Sequence, residues 1–278
     1  MPQTTLRPYL KWAGGKRQLL PEIRARLPQN MGQHTYYEPF VGAGAVLFDL
    51  HPARAVINDY NSQLMLTYRA VRDHVEEVID LLEVHRANHS REYYYQIRGA
   101  DRTEAFLQWG EAAKAARLIY LNKTCFNGLY RVNAQGLFNV PFGSYKRPSI
   151  CEPQVLRAVS AYLAGNAITL LCGDFAAAVT GAQPGDFVYF DPPYHSADNT
   201  NFTGYQAGGF GEAEQRRLCN VFAQLAGRGV LCMLSNSDTQ LIRTLYQGYN
   251  MSIIPARRAI NSRPEGRGAV NEVLVCSW

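Results

Sequence analysis

The chain has 278 residues and a formal charge of +5, with 47% apolar and 18% charged residues. This composition is typical of a globular protein and excludes disorder along the whole chain, because disorder requires low hydrophobicity and a high net charge. No apolar run reaches the roughly 18 residues of a membrane-spanning helix, and the N-terminal residues lack the apolar core of a secretion signal. We therefore expect a cytoplasmic protein without a membrane partner.

The predicted elements follow one another in an alternating order that is interrupted once. They are a helix at 16–27, a strand at 35–38, a helix at 45–50, a strand at 53–58, helices at 63–98 and 112–121, strands at 168–172 and 187–190, a helix at 212–226, and strands at 230–234, 250–255 and 270–277. This order predicts an α/β protein with a doubly wound, mostly parallel sheet. The interruption predicts a mainly helical lobe at 62–151, inserted into a discontinuous core of 1–61 and 152–278.

Six cysteines are scattered along the chain without a C-x-x-C pair. Their spacing fits neither a zinc site nor a disulfide framework. We expect them to be small apolar or unpaired residues, and we expect no bound metal.

The charge is unevenly distributed along the chain. Segment 112–151 contains no Asp or Glu, and aromatic and amide side chains lie between its cations. These cations are Lys114, Arg117, Lys123, Arg131, Lys146 and Arg147. The residues before Glu22 also lack acids, and segment 256–268 carries four arginines against one glutamate. Three such segments favour a polyanionic partner, although a solvated basic face is the simpler alternative.

The first motif, EPFVGAG at 38–44, follows a predicted strand and precedes a predicted helix, which is the position of a ligand-binding glycine turn. Leu47 stands where the dinucleotide-binding fingerprint has its third glycine, so the pattern favours a ligand without a pyrophosphate, such as S-adenosylmethionine. Asp59 ends the next strand, where an acid can accept hydrogen bonds from ribose hydroxyls. The simpler alternatives are an ordinary tight turn at Gly42 and Gly44 and a helix N-cap at Asp59.

The second motif, Asp191-Pro192-Pro193-Tyr194, follows the apolar strand at 187–190. It therefore lies at the ligand-binding edge of an open α/β sheet. Asp191 and the Pro192 carbonyl supply two acceptors, and Tyr194 supplies a stacking face, which together suit a planar base with an exocyclic amino group. For the tetrapeptide alone, a Pro-Pro turn with a solvated aspartate is an equal alternative.

The third motif, KWAGGK at 11–16, lacks the spacing of a P-loop. Two lysines flank a glycine turn, which indicates contacts with an anion. Trp12 by itself is more typical of a core residue than of a ligand contact.

These motifs occur in one order with LNKTCFNGLYRVNAQGLFNVPFGSYKRP at 121–148 and NFTGYQ at 201–206. In this respect the chain resembles the Dam-type DNA adenine-N6 methyltransferases, which use S-adenosylmethionine, from Leu10 to about Val275. The tetrapeptide DPPY also occurs in other amino methyltransferases, so the resemblance depends on the whole set. Three positions depart from close Dam enzymes: Phe126 replaces a frequent Tyr, Cys125 a usual Gly, and Ser144 a common basic residue.

The resemblance implies a Rossmann-like methyltransferase core with an inserted target-recognition lobe, double-stranded DNA as partner, and a bacterial or phage-infected bacterial cell as the setting. The implied catalytic residues are Asp191, Pro192, Pro193 and Tyr194. The implied residues for S-adenosylmethionine are Trp12, Lys16, Glu38, Phe40, Gly42, Gly44, Asp59, Asp174, Phe175 and Asp191. The implied DNA-binding residues are Lys11, Phe126, Asn127, Leu129, Arg131, Asn133, Pro141, Tyr145 and Lys146. We expect a monomer.

The implied reaction is methyl transfer to N6 of an adenine extruded from duplex DNA. Adenine N6 is a weak nucleophile because its lone pair is delocalised into the ring, and acceptors at Asp191 and Pro192 favour a more sp3-like nitrogen. Positioning the methyl carbon in line with N6 contributes much of the remaining rate acceleration. Cytosine-N4 methylation, RNA adenine methylation and a catalytically silent DNA-binding module are the alternatives. The same motifs suit a solitary enzyme and the partner of a restriction nuclease.

The expected target is GATC. Arg131 matches the position that contacts an outer guanine, where a bidentate contact with O6 and N7 discriminates between bases. Leu129 and Pro141 are apolar and suit a thymine methyl group, while Lys11 and Tyr145 are expected at the other outer base pair. The alternative for Arg131 is a phosphate contact, which adds affinity without sequence choice.

Overall fold

The computed structural model describes residues 6–12, 14, 16, 18–29, 31–196, 209–257 and 269–278. The strands in these residues are β1 Tyr36–Glu38, β2 Arg54–Asp59, β3 Ala167–Cys172, β4 Phe187–Phe190, β5 Leu231–Ser237, β6 Asn250–Arg257 and β7 Ala269–Cys276. They form one seven-stranded sheet in the order β3-β2-β1-β4-β5-β7-β6. Strands β1 to β5 pair in parallel, and β7 runs antiparallel to both β5 and β6. The predicted mostly parallel α/β fold is confirmed.

The helices of the same residues are α1 Leu20–Ala25, α2 Ala45–Leu50, α3 Ser62–Asp73, α4 Val75–Ala87, α5 Arg91–Gly99, α6 Glu111–Thr124, α7 Pro153–Gly165, α8 Phe175–Ala178, α9 Glu212–Gly227 and α10 Gln240–Leu245. Among the described helices, none is long and apolar enough to cross a membrane.

The central strands are buried on both faces, which explains their continuous aromatic and apolar sequences. Along β4, Phe187 and Tyr189 belong to one hydrophobic cluster, whereas Val188 and Phe190 belong to the cluster on the other face. Tyr36 of β1 pairs with Phe187 in parallel register. The carboxyl ends of β1 and β4 therefore meet at one edge of the sheet.

The stretch predicted to be helical at 63–98 is helical, but it is divided into three helices, α3, α4 and α5. The helical path breaks at His74, whose φ of −136° and ψ of 38° are not helical. It breaks again before Ser90, whose hydroxyl accepts a hydrogen bond from the Tyr93 amide and caps α5. The apolar periodicity continues across both breaks, so spacing alone does not mark them. The helix predicted from residue 16 begins only at Leu20.

One hydrophobic cluster joins the sheet to the helices of segment 62–151, and it includes Ile57, Leu64, Ile119 and Val155. Helix α3 packs against both α6, inside the segment, and α7, beyond it. The division into a core and an inserted lobe at 62–151 stays a prediction. The six cysteines are unpaired, as expected. The predicted Arg-rich loop between the last two strands and the NFTGYQ motif at 201–206 lie outside the described residues, apart from the first few positions of that loop.

Candidate active site

A cleft lies at the sheet edge where β1 and β4 end. It is lined by Trp12, Gly14, Lys16, Glu38, Val41, Gly42, Ala43, Ala45, Val46 and Asp191. All three sequence motifs contribute to this lining. Five of the ten implied cofactor residues therefore meet in one place, although the widest gap between them in the chain is more than 140 residues.

The glycine turn after β1 is built by left-handed backbone that only glycine adopts readily. Gly42 has φ +51°, and a Cβ there would lie 3.1 Å from Cδ1 of Trp12. Gly44 has φ +74°, and its Cβ would lie 2.7 Å from the Tyr68 hydroxyl oxygen. That hydroxyl donates a hydrogen bond to the Gly42 carbonyl over 3.0 Å. The turn is thus both a tight turn and one wall of the cleft.

Asp59, at the end of β2, holds this turn from the side. Its carboxylate accepts hydrogen bonds from the Gly42 amide (3.1 Å) and the Asn61 amide (2.9 Å). Burial raises the pKa of Asp59 to about 6, against the effect of these amides. The N-cap of α3 is Asn61, whose side chain accepts a hydrogen bond from the Leu64 amide. The interpretation of Asp59 as a helix cap is therefore wrong.

Asp191 lies directly after β4 and forms an ion pair with Lys16, with 2.7 Å between Nζ and Oδ1. The two side chains are 7% and 18% exposed for Lys16 and Asp191, respectively. Ser235 donates a hydrogen bond to the same carboxylate oxygen over 3.1 Å, and Tyr189 contacts the Ser235 hydroxyl at 2.8 Å. Burial raises the pKa of Asp191, while Lys16 and Ser235 oppose that rise. The interpretation as a solvated aspartate is wrong.

Glu38 is a second carboxyl group in the same cleft, and its residue is only 2% exposed. The Tyr36 hydroxyl donates a hydrogen bond to it over 2.8 Å. Burial raises the pKa of Glu38 to about 8, and the nearby charge of Asp191 adds to the rise. A proton therefore resides on Glu38 near neutral pH, so that the cleft holds fewer negative charges than it has carboxyl groups.

Tyr194 is held at its ring and at its hydroxyl. The Lys16 ammonium lies 4.5 Å from the ring centroid, a cation–π distance. The hydroxyl donates a hydrogen bond to Oε2 of Glu272 over 2.9 Å. Its neighbour Pro193 accepts a hydrogen bond at its carbonyl from Gln215 over 2.9 Å. The tetrapeptide is therefore fixed by groups from several elements.

Phe40 and Phe175 stack with centroids 5.3 Å apart, and neither belongs to the cleft lining given above. Asp174 is exposed, and its carboxylate caps α8 by accepting a hydrogen bond from the Ala176 amide. It also forms an ion pair with Arg217 at 2.5 Å, which lowers the pKa of Asp174. The roles implied for Phe40, Asp174 and Phe175 stay predictions.

Lys11 joins the N-terminal segment to the acid-free segment 112–151. Its backbone amide donates to the buried Asn122 side chain (2.8 Å), which returns a hydrogen bond to the Lys11 carbonyl (2.7 Å) and another to the Gly128 carbonyl (3.0 Å). Gly128 has φ +63°, and a Cβ there would lie 2.4 Å from Cδ of Lys11. The Lys11 ammonium lies 3.9 Å from the centroid of the Tyr145 ring. Two of the implied DNA-binding residues are thus in contact.

Phe126 and Asn127 form an exposed turn after α6. Phe126 is 50% exposed, and Asn127 adopts φ +55°. The turn is anchored by a hydrogen bond from the Phe126 amide to the Pro141 carbonyl over 2.9 Å. The side chain of Pro141 is exposed, as are those of Tyr145 and Lys146.

Arg131 is exposed and donates hydrogen bonds from Nε to Oδ1 of Asn139 (2.7 Å) and from its guanidinium to the Asn139 carbonyl (3.3 Å). Leu129 is half-buried and packs against the core. Asn133 uses its side-chain oxygen within its own turn, where it accepts from the Gln135 and Leu137 amides. The side-chain atom of Asn133 that can contact a base is therefore its amide nitrogen.

Sequence reasoning missed four residues that hold the site: Asn122, Gln215, Ser235 and Glu272. Ser235 carries a signal similar to that of Asp191, because the polar residues 235–237 follow the apolar first half of β5. The other three carry no such signal. Each is a single polar residue in a helix or strand, and only packing shows its partner.

His85 and His89 have the four-residue spacing of a metal-binding pair. However, Nδ1 of His85 lies 2.8 Å from the Tyr93 hydroxyl, and Nδ1 of His89 lies 3.0 Å from the Tyr120 hydroxyl. Burial lowers the pKa of His85 to about 4, which keeps it neutral. This pair is part of an aromatic cluster in the helical segment.

Comparison with known proteins identifies the family. Residues 12–260 match the model of the D12 class N6 adenine-specific DNA methyltransferases. The chain is 44% identical over 274 residues to the type II methyltransferase M1.LlaDCHI of Lactococcus lactis subsp. cremoris, covering 98% of this chain and 96% of that protein. It is 39% identical over 290 residues to the type II methyltransferase M.MjaIII of Methanocaldococcus jannaschii, covering 98% and 99%. It is 36% identical over 273 residues to the DNA adenine methylase of Escherichia coli K12, covering 96% and 94%. The chain therefore belongs to the D12 class of N6 adenine-specific DNA methyltransferases.

Proposed function

We propose that this chain transfers the methyl group of S-adenosylmethionine to N6 of an adenine extruded from duplex DNA, and that its target is GATC. The observation that carries the proposal is the position of Asp191 beside Lys16 in the cleft, with the Tyr194 ring next to it. An acceptor and an aromatic face at one point suit a flipped base that carries an amino group.

The residues of the cleft fit S-adenosylmethionine by their chemistry. The ligand combines a sulfonium cation with ribose hydroxyls. The carboxylates of Asp59 and Asp191 offer negative charge, and the carboxyl groups of Glu38, Asp59 and Asp191 all offer oxygen acceptors. The absence of a side chain at Gly42 lets the turn pack closely against Trp12, which lines the cleft beside it. When bound, the ligand supplies a methyl group already activated on sulfur.

The other cofactor residues of the proposal extend the same site. Trp12 and Lys16 line the cleft, and Gly44 shapes its turn. The stacked pair Phe40 and Phe175 offers an aromatic surface for an adenine ring. Asp174 is included as the residue that caps α8 beside this pair.

The tetrapeptide residues have separate roles in the proposal. Asp191 and the Pro192 carbonyl accept the N6 hydrogens, while the Tyr194 ring stacks on the base and Pro193 fixes the backbone between them. Asp191 is the stronger acceptor when it is ionised, and Lys16 favours that form by its charge. Extrusion of the adenine costs a few kcal/mol, which contacts to DNA must offset.

Segment 62–151 is proposed as the target-recognition domain, and residues 1–61 with 152–278 as the catalytic domain. The role proposed for the exposed turn of Phe126 and Asn127 is to fill or border the gap left by the extruded base. Arg131 and Lys146 supply exposed positive charge in the part of this domain at 112–151, which contains no acids.

The test is methylation by the purified protein of short duplexes that contain GATC or one of its single-base variants, with labelled S-adenosylmethionine. We expect label in adenine of GATC and little in the variants. Sequencing of methylated adenines in genomic DNA exposed to the enzyme gives the site directly. A different dominant motif would refute the GATC target, and label in cytosine or in RNA would refute the proposed substrate.

A further inference from the structure

Tyr194 is clamped through its backbone by two amide side chains that are fully buried. Gln215 of α9 donates to the Pro193 carbonyl (2.9 Å), and Asn236 of β5 accepts from the His195 amide (3.0 Å). The two amides are joined to each other by a hydrogen bond from Nδ2 of Asn236 to Oε1 of Gln215 over 3.1 Å. Each is 0% exposed. The peptide on either side of Tyr194 is therefore fixed from the core.

The free end of the Tyr194 side chain is held by a different strand. Its hydroxyl donates to Oε2 of Glu272 over 2.9 Å, and Glu272 lies on β7 opposite Ser237 of β5. Burial raises the pKa of Tyr194, so the hydroxyl stays protonated and acts as the donor. A hydrogen bond to a charged acceptor is about twice as strong as one between neutral groups.

We propose that Glu272 is a positioning residue for methyl transfer, which fixes the direction of the long axis of the Tyr194 ring through the ring's hydroxyl. With the backbone held by the amide pair, rotation about the Cα–Cβ bond would carry the hydroxyl away from Glu272, so the bond to Glu272 opposes that rotation. The Lys16 ammonium lies over the face of the same ring. The inference rests on the proposed stacking of the target adenine on Tyr194. A ring whose position is set before the base arrives holds N6 in line more often, and misplacement by about 1 Å can cost about a hundredfold in rate.

The test is a double-mutant cycle with Tyr194→Phe, which keeps the ring and removes the hydroxyl. Glu272→Ala and Glu272→Met both remove the acceptor, and the second keeps much of the side-chain volume. We expect each to lower kcat about tenfold to a hundredfold while KM for DNA and for S-adenosylmethionine changes little. Tyr194→Phe should lower kcat similarly. The combination with Glu272→Met should be no slower than either single variant, because both remove the same hydrogen bond.

Glu272→Gln keeps a carbonyl oxygen that can accept the bond, and its kcat should stay within about threefold of the wild type. The exposed Glu212 on α9 forms its ion pair with Arg216 and serves as the control position, where replacement by Gln should leave kcat unchanged. Thermal unfolding of each variant shows whether it is folded, and if Glu272→Ala unfolds, Glu272→Met and Glu272→Gln carry the test.

Three results would overturn the inference: normal kcat in the folded Ala or Met variant, equal loss in the Gln variant, or independent losses that multiply in the double variant. Tyr194→Ala separates this inference from the proposed function. If that variant keeps normal activity, the stacking role itself is wrong. If it is inactive while the Glu272 variants are normal, only the role of Glu272 is wrong.

Discussion

The ammonium of Lys16 lies 2.7 Å from Oδ1 of Asp191, and this ion pair joins the N-terminal motif to the end of the central strand β4. Both groups are largely buried, and Lys16 also donates to the Gly14 carbonyl over 2.7 Å. A buried charge that loses its partner is costly, by about 3–5 kcal/mol. The pair therefore links the stability of the cleft to its chemistry.

Asp191→Ala should abolish methyl transfer while DNA binding is largely preserved, because the variant loses an acceptor and not the DNA-facing surface. Some affinity for S-adenosylmethionine and some stability should also be lost, since Lys16 is left without its carboxylate. Single-turnover methylation, DNA binding and thermal unfolding measure these three effects. Asp80→Ala, on the exposed face of α4, is the control. Turnover near that of the wild type would show that Asp191 has been assigned wrongly.

The stability of the Glu38→Gln variant should rise relative to that of the wild type as the pH rises. The pKa of Glu38 is raised by burial from 4.5 to about 8 in the folded protein. Between these values the folded chain holds a proton that the unfolded chain has released, so the wild type loses stability with rising pH through this group. Glutamine does not titrate, so the variant lacks this pH-dependent loss of stability. Denaturant unfolding of both proteins at pH 5 and pH 8 measures the difference.

For Glu38→Gln, the exposed Glu212→Gln is the matched control, and its difference from the wild type should be similar at both pH values. If the Glu38→Gln difference is also the same at pH 5 and pH 8, the carboxyl group is not protonated in the folded protein near neutral pH.

Arg131→Ala should relax the preference for one outer base pair of the target. A bidentate contact between arginine and guanine contributes about 1–3 kcal/mol of discrimination, and Arg131 is exposed with its guanidinium oriented by Asn139. Lys146→Ala is the comparison, because loss of a phosphate contact weakens binding evenly and makes the salt dependence shallower. Methylation rates on single-base variants of the site distinguish the two. An even loss for Arg131→Ala would assign it to phosphate.

Gly128→Ala should disturb Lys11 as well as the backbone, because the new Cβ would lie 2.4 Å from Cδ of Lys11. Gly136→Ala is a matched control: Gly136 has φ +78°, close to the +63° of Gly128, but its Cβ would meet nothing within 4 Å. Left-handed backbone should cost each variant about 1–2 kcal/mol. Only Gly128→Ala should also alter discrimination at the outer base pair proposed for Lys11. Thermal unfolding and methylation of site variants measure both effects, and equal behaviour of the two variants would contradict the prediction.

Much of this molecule follows from its sequence. The apolar strand before Asp191 and the glycine turn after β1 predicted the sheet edge, because strand burial and left-handed backbone each restrict which residues can stand there. The order of motifs predicted the family. The helix boundaries in 63–98 could not be predicted, because the apolar spacing continues through His74. Only the cap at Ser90 indicates a boundary, the start of α5.

The partners of the tetrapeptide Asp191-Pro192-Pro193-Tyr194 were decided by tertiary structure alone. Glu272 reaches Tyr194 because β7 inserts antiparallel between β5 and β6, and no local pattern encodes that contact. Asn122 holds Lys11 across 111 residues of chain for the same reason. A sequence pattern indicates the local properties of one element, such as burial, a turn or a cap. The pairing of distant polar groups depends on how strands and helices pack, so these hydrogen bonds form only in the folded chain.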